Sequence, residues 1–244
     1  MGYIIFNNEV YFMKKSGNPK RIIGFIVFVS LIFSIGYSAF KAITTPESIP
    51  DTDVHTHFRS DYILMLLQCL LGLLVLGLPR LLERKWSFEI PNYMTTLYFV
   101  FLYCAIYLGE VHNFYYLIPH WDDILHAFSG AMLGALGFSL VSILNDSEKT
   151  KVSLSPLFVA LFSFCFALSA GAVWEIYEFV GDGLFGLNMQ KFRLADGYVL
   201  SGHAALSDTM YDIIIDALSS LIVSVIGYLS LIGRIKHSKK EEKM

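Results

Sequence analysis

The run Ile22–Phe40, IIGFIVFVSLIFSIGYSAF, holds nineteen residues without a charge, with Lys20 and Arg21 before it and Lys41 after it. A helix crossing the hydrocarbon core of a bilayer needs about 20 mostly apolar residues, so this stretch reads as a membrane-spanning helix. It is longer than the core of a secretory signal, which runs about 7–15 residues, and no A-x-A-like cleavage site follows, so it is expected to be retained. Five further runs share its character: about Tyr62–Leu78, Tyr93–Gly109, Ile124–Leu144, Val152–Phe179 and Thr209–Ile232. The chain of 244 residues is 55% hydrophobic and 16% charged, whereas soluble domains carry about 25% charged residues. The expected architecture is an all-α, polytopic membrane helix bundle of six transmembrane helices. It occupies 22–232, between an N-terminal tail, 1–21, and a basic C-terminal tail, 233–244.

Lysine and arginine give the orientation. Fourteen of the eighteen lie in the two tails and in the second-to-third and fourth-to-fifth connections, leaving Lys41, Arg59, Lys191 and Arg193 on the other side. The positive-inside rule then predicts that both termini are cytoplasmic. A net charge of −3 and the lack of a basic stripe interleaved with aromatics exclude a nucleic-acid partner. The bilayer is the expected partner, and a small-molecule or lipid ligand fits the chemistry below. Cys69, Cys104 and Cys165 sit inside apolar runs at wide spacings, which gives neither a zinc motif nor a disulfide framework. The longest outer connection, about Val180–Asp208, carries five glycines and is expected to re-enter the membrane or lie over the bundle mouth. The chain shows no internal repeat of the kind found in duplicated transporters.

With this orientation, the acids gather at the outer ends of four helices. Glu110 and His112 close the third; Asp122 and Asp123 open the fourth, with His126 one turn on; Glu175, Glu178 and Asp182 close the fifth; Asp208, Asp212 and Asp216 open the sixth. Spacings of three, four, seven and eight put each set on one face of its helix. At 1.5 Å per residue, Asp216 lies about 12 Å beyond Asp208, Glu175 about 10 Å inside Asp182, and His126 about 6 Å in from Asp122. An ionised group at such depth costs about 2.5–3.5 kcal/mol even on lenient insertion scales. The cluster is therefore expected to hold protons, water or a cation, because like charges in one place cannot all ionise unpaired.

His126, Glu175, Glu178, Asp212 and Asp216 are the catalytic candidates. Acids with an imidazole also ligate divalent ions of zinc or manganese type, and Asp122, His126, Glu175, Asp208 and Asp212 form the candidate metal set. Other readings stand beside these. Asp122 and Asp208 suit helix N-caps or the first helical turn, where an acid complements the macrodipole, Asp182 reads as a solvated loop residue, and Glu110 with His112 suits the membrane interface. Asp51, Asp53, His55 and His57 form an acidic H-x-H stretch that reads as a solvated loop, with metal binding the alternative. Gly130 and Gly134, with Ala127, Ala131 and Ala135 alongside, predict a closely packed, central fourth helix. Phe114, Tyr115, Tyr116 and Trp121 read as an interfacial aromatic belt.

The blocks HWDDILHAFSG (His120–Gly130), GAVWEIYEF (Gly171–Phe179) and LSDTMYDIIIDALSS (Leu206–Ser220) resemble the bacterial YjdF-like membrane-spanning proteins. The order D-x-x-x-H, G-x-x-x-E, D-x-x-x-D is more distantly similar to VanZ-like proteins, one of which is associated with glycopeptide-antibiotic tolerance. That similarity maps onto Asp122 and His126, Glu175, and Asp208 and Asp212. VanZ-like chains usually join the last two blocks by a short loop, unlike this chain, and tend to have Asn where Asp212 or Asp216 stands. The resemblance implies a bacterial cytoplasmic membrane and sharpens the site more than the activity. Three functions stay open on sequence alone: a membrane enzyme with an outward-facing acid/His site, metal-dependent in one version, acting on a lipid or cell-envelope precursor; a cation- or proton-coupled transporter or small-ligand binder; and a structural protein with a packed polar network.

Overall fold

The computed structural model describes residues 3–6, 9–12, 19–46, 58–86, 89–145, 154–194 and 197–241. Apart from a short antiparallel hairpin, β1 (Tyr3–Phe6) with β2 (Glu9–Phe12), the described elements are helical. They are α1 (Pro19–Thr44), α2 (Arg59–Leu76), α3 (Leu78–Trp86), α4 (Asn92–Leu102), a π-helix (Tyr103–Val111) continuing α4, α5 (Phe114–Leu117), α6 (Trp121–Asn145), α7 (Pro156–Phe185) and α8 (His203–Glu241). Among the described residues, six helices are long and apolar enough to cross a membrane: 19–44, 59–85, 92–111, 121–141, 156–185 and 203–237. The all-α membrane bundle expected from hydropathy is the fold observed.

Local chemistry sets the ends. Ser155 caps α7 by accepting the Phe158 N–H at 3.2 Å, with Pro156 behind it, the arrangement an N-terminus favours. The helix therefore starts after the Val152 that hydropathy suggested, a residue outside the described ones. It also runs past Phe179, through Asp182, to a left-handed Gly186 at φ 64° whose N–H bonds the Asp182 carbonyl at 3.0 Å. Hydropathy cuts this helix short because its last turns are polar. Similarly, α8 begins at His203, before the apolar run, and continues to Glu241. Between α2 and α3, Gly77 and Pro79 interrupt the helix, since a proline removes one backbone donor and clashes with the preceding turn.

The helices form two groups of three. The first group, α1, α2 and α4 with its π-helix, packs on apolar side chains: Val27, Leu31, Met65, Cys69, Leu102 and Ile106 are buried together. Ser34 and Ser38 in that group return their hydroxyls to the helix at 2.8 and 2.7 Å, which satisfies these two donors in an apolar setting. The second group, α6, α7 and α8, packs mutually on a polar seam whose buried residues include Ser163, Glu175, Asp212, Asp216, Ser220 and Ser224. Small residues let these backbones approach. A Cβ on Gly130 would stand 3.1 Å from the Asp216 backbone. One on Gly171 would strike the Asp216 carboxylate. Phe33 (75%), Leu74 (78%) and Ile43 (80%) are among the exposed apolar side chains, a surface that matches hydrocarbon rather than water. Cys69, Cys104 and Cys165 are all free thiols.

Candidate metal centre

One imidazole organises the site. His126 projects from the second turn of α6, and its side chain is 8% exposed. Its Nδ1 lies 3.3 Å from Asp216 Oδ2. On the opposite edge, Nε2 faces Glu175 Oε1 at 3.8 Å, Asp212 Oδ2 at 3.8 Å and Asp122 Oδ1 at 3.9 Å. The two nitrogens thus meet different surroundings. Nδ1 has a hydrogen-bond partner, whereas Nε2 looks into a gap ringed by three carboxylates beyond hydrogen-bond reach. A carboxylate on one ring nitrogen, with the other nitrogen turned to the ion, is the usual orientation of a metal-binding histidine.

Two groups of side chains have ligand atoms mutually within 4.8 Å: His126, Glu175 and Asp212, and Asp122, Asp208 and Asp212. An ion bonded at about 2.0–2.2 Å to nitrogen and oxygen sets neighbouring ligand atoms about 3.0–3.5 Å apart. The 3.8 Å separations around Nε2 need to close by only a few tenths of an ångström. Glu175 is 3% exposed, yet among the described residues neither of its carboxylate oxygens makes a well-formed hydrogen bond, the Thr209 hydroxyl being the nearby donor. Asp208 Oδ2 and Asp216 Oδ1 are buried atoms in the same condition. A buried carboxylate without a partner carries a desolvation cost, so these oxygens are suited to a cation.

Helical register explains why these residues meet. Asp208, Asp212 and Asp216 line one face of α8, and Gly130 and Gly171 remove the side chains that would hold α6 and α7 off that face. Neither rim aspartate is an N-cap, although Asp122 does stand in the first turn of α6, where an acid suits the macrodipole. Asp122 is the second residue of α6 and Asp208 the sixth of α8, because each helix starts earlier than its polar residues suggest. Asp123 pairs with His120 at 2.7 Å, outside the cluster. Glu178 also stands apart from both ligand groups and accepts the Trp174 indole N–H at 2.9 Å.

The loop between α7 and α8 is strapped over this end of the bundle. Asp182, read above as a solvated loop residue, is instead 9% exposed. Its carboxylate accepts the Met189 and Gln190 amides at 2.7 and 3.0 Å. Asn188 donates to the Tyr116 hydroxyl at 2.9 Å and exchanges bonds of 2.7 and 2.8 Å with the Arg193 backbone. Gln190 donates to Thr209 at 2.8 Å, and Arg193 pairs with Asp61 at 2.9 Å. Lys191 lies over the Tyr115 ring, 4.4 Å from its centroid, and donates to the Met189 carbonyl at 3.1 Å. Burial works against its charge, but Asp122, Glu110, Tyr116 and Glu178 outweigh that and hold the ammonium well above the usual lysine range.

Glu110 joins Asp61, Asn113, Tyr116, Asn188 and Lys191 around a small polar pocket, while His112 is exposed against Tyr107, ring to ring at 4.6 Å. Phe114 and Trp121 stack edge to face at 5.0 Å. Asn188, Gln190 and Gly171 carry no sequence pattern that marks their part in the site; only the Gly171-x-x-x-Glu175 spacing hints at one. The acidic H-x-H stretch, Asp51, Asp53, His55 and His57, lies outside the described residues.

Fold and site together define a multi-pass membrane protein whose last three helices enclose a buried histidine–carboxylate cluster. The chain belongs to the family described as "Predicted membrane protein (DUF2238)", whose model matches residues 54–232. It is similar to an uncharacterized protein of Thermotoga maritima, 26% identical over 157 residues that cover 64% of this chain and 72% of that relative. No solved structure matches the chain.

Proposed function

We propose that this protein is a metal-dependent membrane enzyme that acts on a lipid or cell-envelope precursor from the outer face of a bacterial cytoplasmic membrane, both termini being cytoplasmic. His126, Glu175 and Asp212 hold a divalent ion, with Asp122 and Asp208 at the rim. The observation that carries this reading is Glu175, buried to 3% exposure, with no well-formed hydrogen bond to either oxygen although the Thr209 hydroxyl lies nearby, and with Oε1 3.8 Å from the open Nε2 edge of His126. A purely structural network would satisfy its carboxylates internally, and that is not the state of Glu175, Asp208 Oδ2 or Asp216 Oδ1 among the described residues.

The ion supplies Lewis acidity and a water of lowered pKa. Asp216 fixes the His126 ring so that Nε2 faces the ion, and Asp122, 27% exposed at its side chain, marks the opening toward solvent. The resemblance of the D-x-x-x-H, G-x-x-x-E, D-x-x-x-D order to that of VanZ-like proteins agrees with Asp122, His126, Glu175 and Asp208, while Asp212 rests on the geometry. Elemental analysis of protein purified in detergent tests the proposal. Wild type is expected to carry a stoichiometric transition metal, whereas His126→Ala and Glu175→Gln lose it while keeping the fold. Wild-type protein that binds neither zinc nor manganese under any loading condition overturns it.

A further inference from the structure

We infer that the cluster takes two divalent ions bridged by Asp212, and that its substrate is a phosphate ester of a membrane amphiphile, its phosphate lying between those ions and Lys191. This rests on the metal-centre reading above and extends it. Asp212 belongs to both ligand groups, one with His126 and Glu175 and the other with Asp122 and Asp208. Paired ions about 3.5–4 Å apart clamp the attacking and leaving oxygens of an in-line displacement, and a shared carboxylate is the natural bridge at that spacing.

The donor sets differ in kind. One contains an imidazole and suits zinc or manganese; the other is all oxygen and suits magnesium or manganese. Both contain buried oxygens without a well-formed hydrogen bond: the two of Glu175 in the first and Oδ2 of Asp208 in the second. Charge is consistent as well. Asp122, Glu175, Asp208 and Asp212 are the carboxylate ligands, and two dications neutralise them.

Lys191 supplies the next feature. It lines the small polar pocket with Asp61 and Glu110, the strap holds it there at φ 50°, and the charges of Asp122, Glu110 and Glu178 favour its ammonium. A fixed ammonium next to paired dications suits a phosphate dianion, for which lysine acts as a point charge. The site lies within membrane-spanning helices, which favours an amphiphile over a free solute. In the reaction, a metal-bound hydroxide forms a new P–O bond and the P–O bond to the lipid oxygen breaks with its electron pair. That oxygen takes up the proton released when the water became hydroxide, giving the lipid alcohol and inorganic phosphate.

The test combines manganese titration with phosphate release, using protein in detergent micelles. Wild type is expected to bind two Mn²⁺ per chain with the coupled paramagnetic signal of a pair. Asp208→Asn and, independently, Asp122→Asn are expected to retain one. Phosphatidic acid in mixed micelles is expected to release phosphate, and Lys191→Gln to raise its half-saturating concentration about tenfold, the loss expected for one charge-assisted hydrogen bond. One Mn²⁺ per chain in wild type overturns the paired-ion inference and leaves the proposed function standing, whereas no Mn²⁺, with no Zn²⁺ bound in a parallel titration, removes both. Two ions with release from glycerol phosphate but not from phosphatidic acid overturns the amphiphile. Two ions with release from neither, or with inorganic phosphate binding alone, overturns the phosphate-ester substrate.

Discussion

Asp216 supports His126 from behind, and its effect on the site is indirect. Asp216→Asn keeps the shape but exchanges a carboxylate for an amide at Nδ1, 3.3 Å away. Loss of such an outer partner costs about 10–100-fold in metal affinity. Competition with a chelator measures it, and an unchanged affinity would show that Asp216 does not orient the ring. Gly171→Ala places a methyl where the Asp216 carboxylate now sits. Overpacking of this kind destabilises by about 1–3 kcal/mol, and thermal unfolding in detergent should show the loss together with weaker metal binding. Depth and register singled out His126, Glu175, Asp212 and Asp216, since charged groups inside a membrane are conspicuous, and also Glu178, which stands outside both ligand groups. The cradle at Gly171 stayed hidden, because a glycine in a membrane helix is ordinary until its neighbour is known.

The strap between α7 and α8 is the element whose position hydropathy could not supply. It was legible as a long, glycine-containing connection, but its bonds run from Asp182 to its own loop and from Arg193 to Asp61 on α2, contacts with no periodic signature. Asp182→Ala leaves the buried Met189 amide and the Gln190 amide without their acceptor, at a cost of about 1–3 kcal/mol for a buried group. Hydrogen exchange is expected to accelerate at Met189 and Gln190 while the apolar half of α7 stays protected. Unchanged exchange at those two amides would mean the loop is held by its other bonds. The π-helix at Tyr103–Val111 is another local feature that residue pattern leaves unmarked. Such turns recur at functional sites, and this one carries Glu110 to the polar pocket beside Lys191.

Six spans were readable from hydropathy because a bilayer imposes both length and apolarity on each crossing. The pairing of helices into two groups was not readable, since lipid-facing and core-facing apolar side chains look alike in sequence. Orientation gives a test on the whole molecule. In a cysteine-free background, Ser201→Cys in the strap is expected to react with a membrane-impermeant maleimide on intact cells, and Arg80→Cys only after permeabilisation. The opposite pattern would place the His126 cluster on the cytoplasmic side. The contrast between the two groups also bears on descent. Aliphatic cores tolerate exchange among residues of similar volume, so α1, α2 and α4 are freer to drift at positions other than Gly24 and Gly72, which pack against Phe99 and Ile106, and Asp61. In α6, α7 and α8, Gly130 and Gly171 stand directly against Asp216, and a change at one position requires a compensating change at another. Distant kin should therefore be recognisable by the second half of the chain after the first half has lost all resemblance.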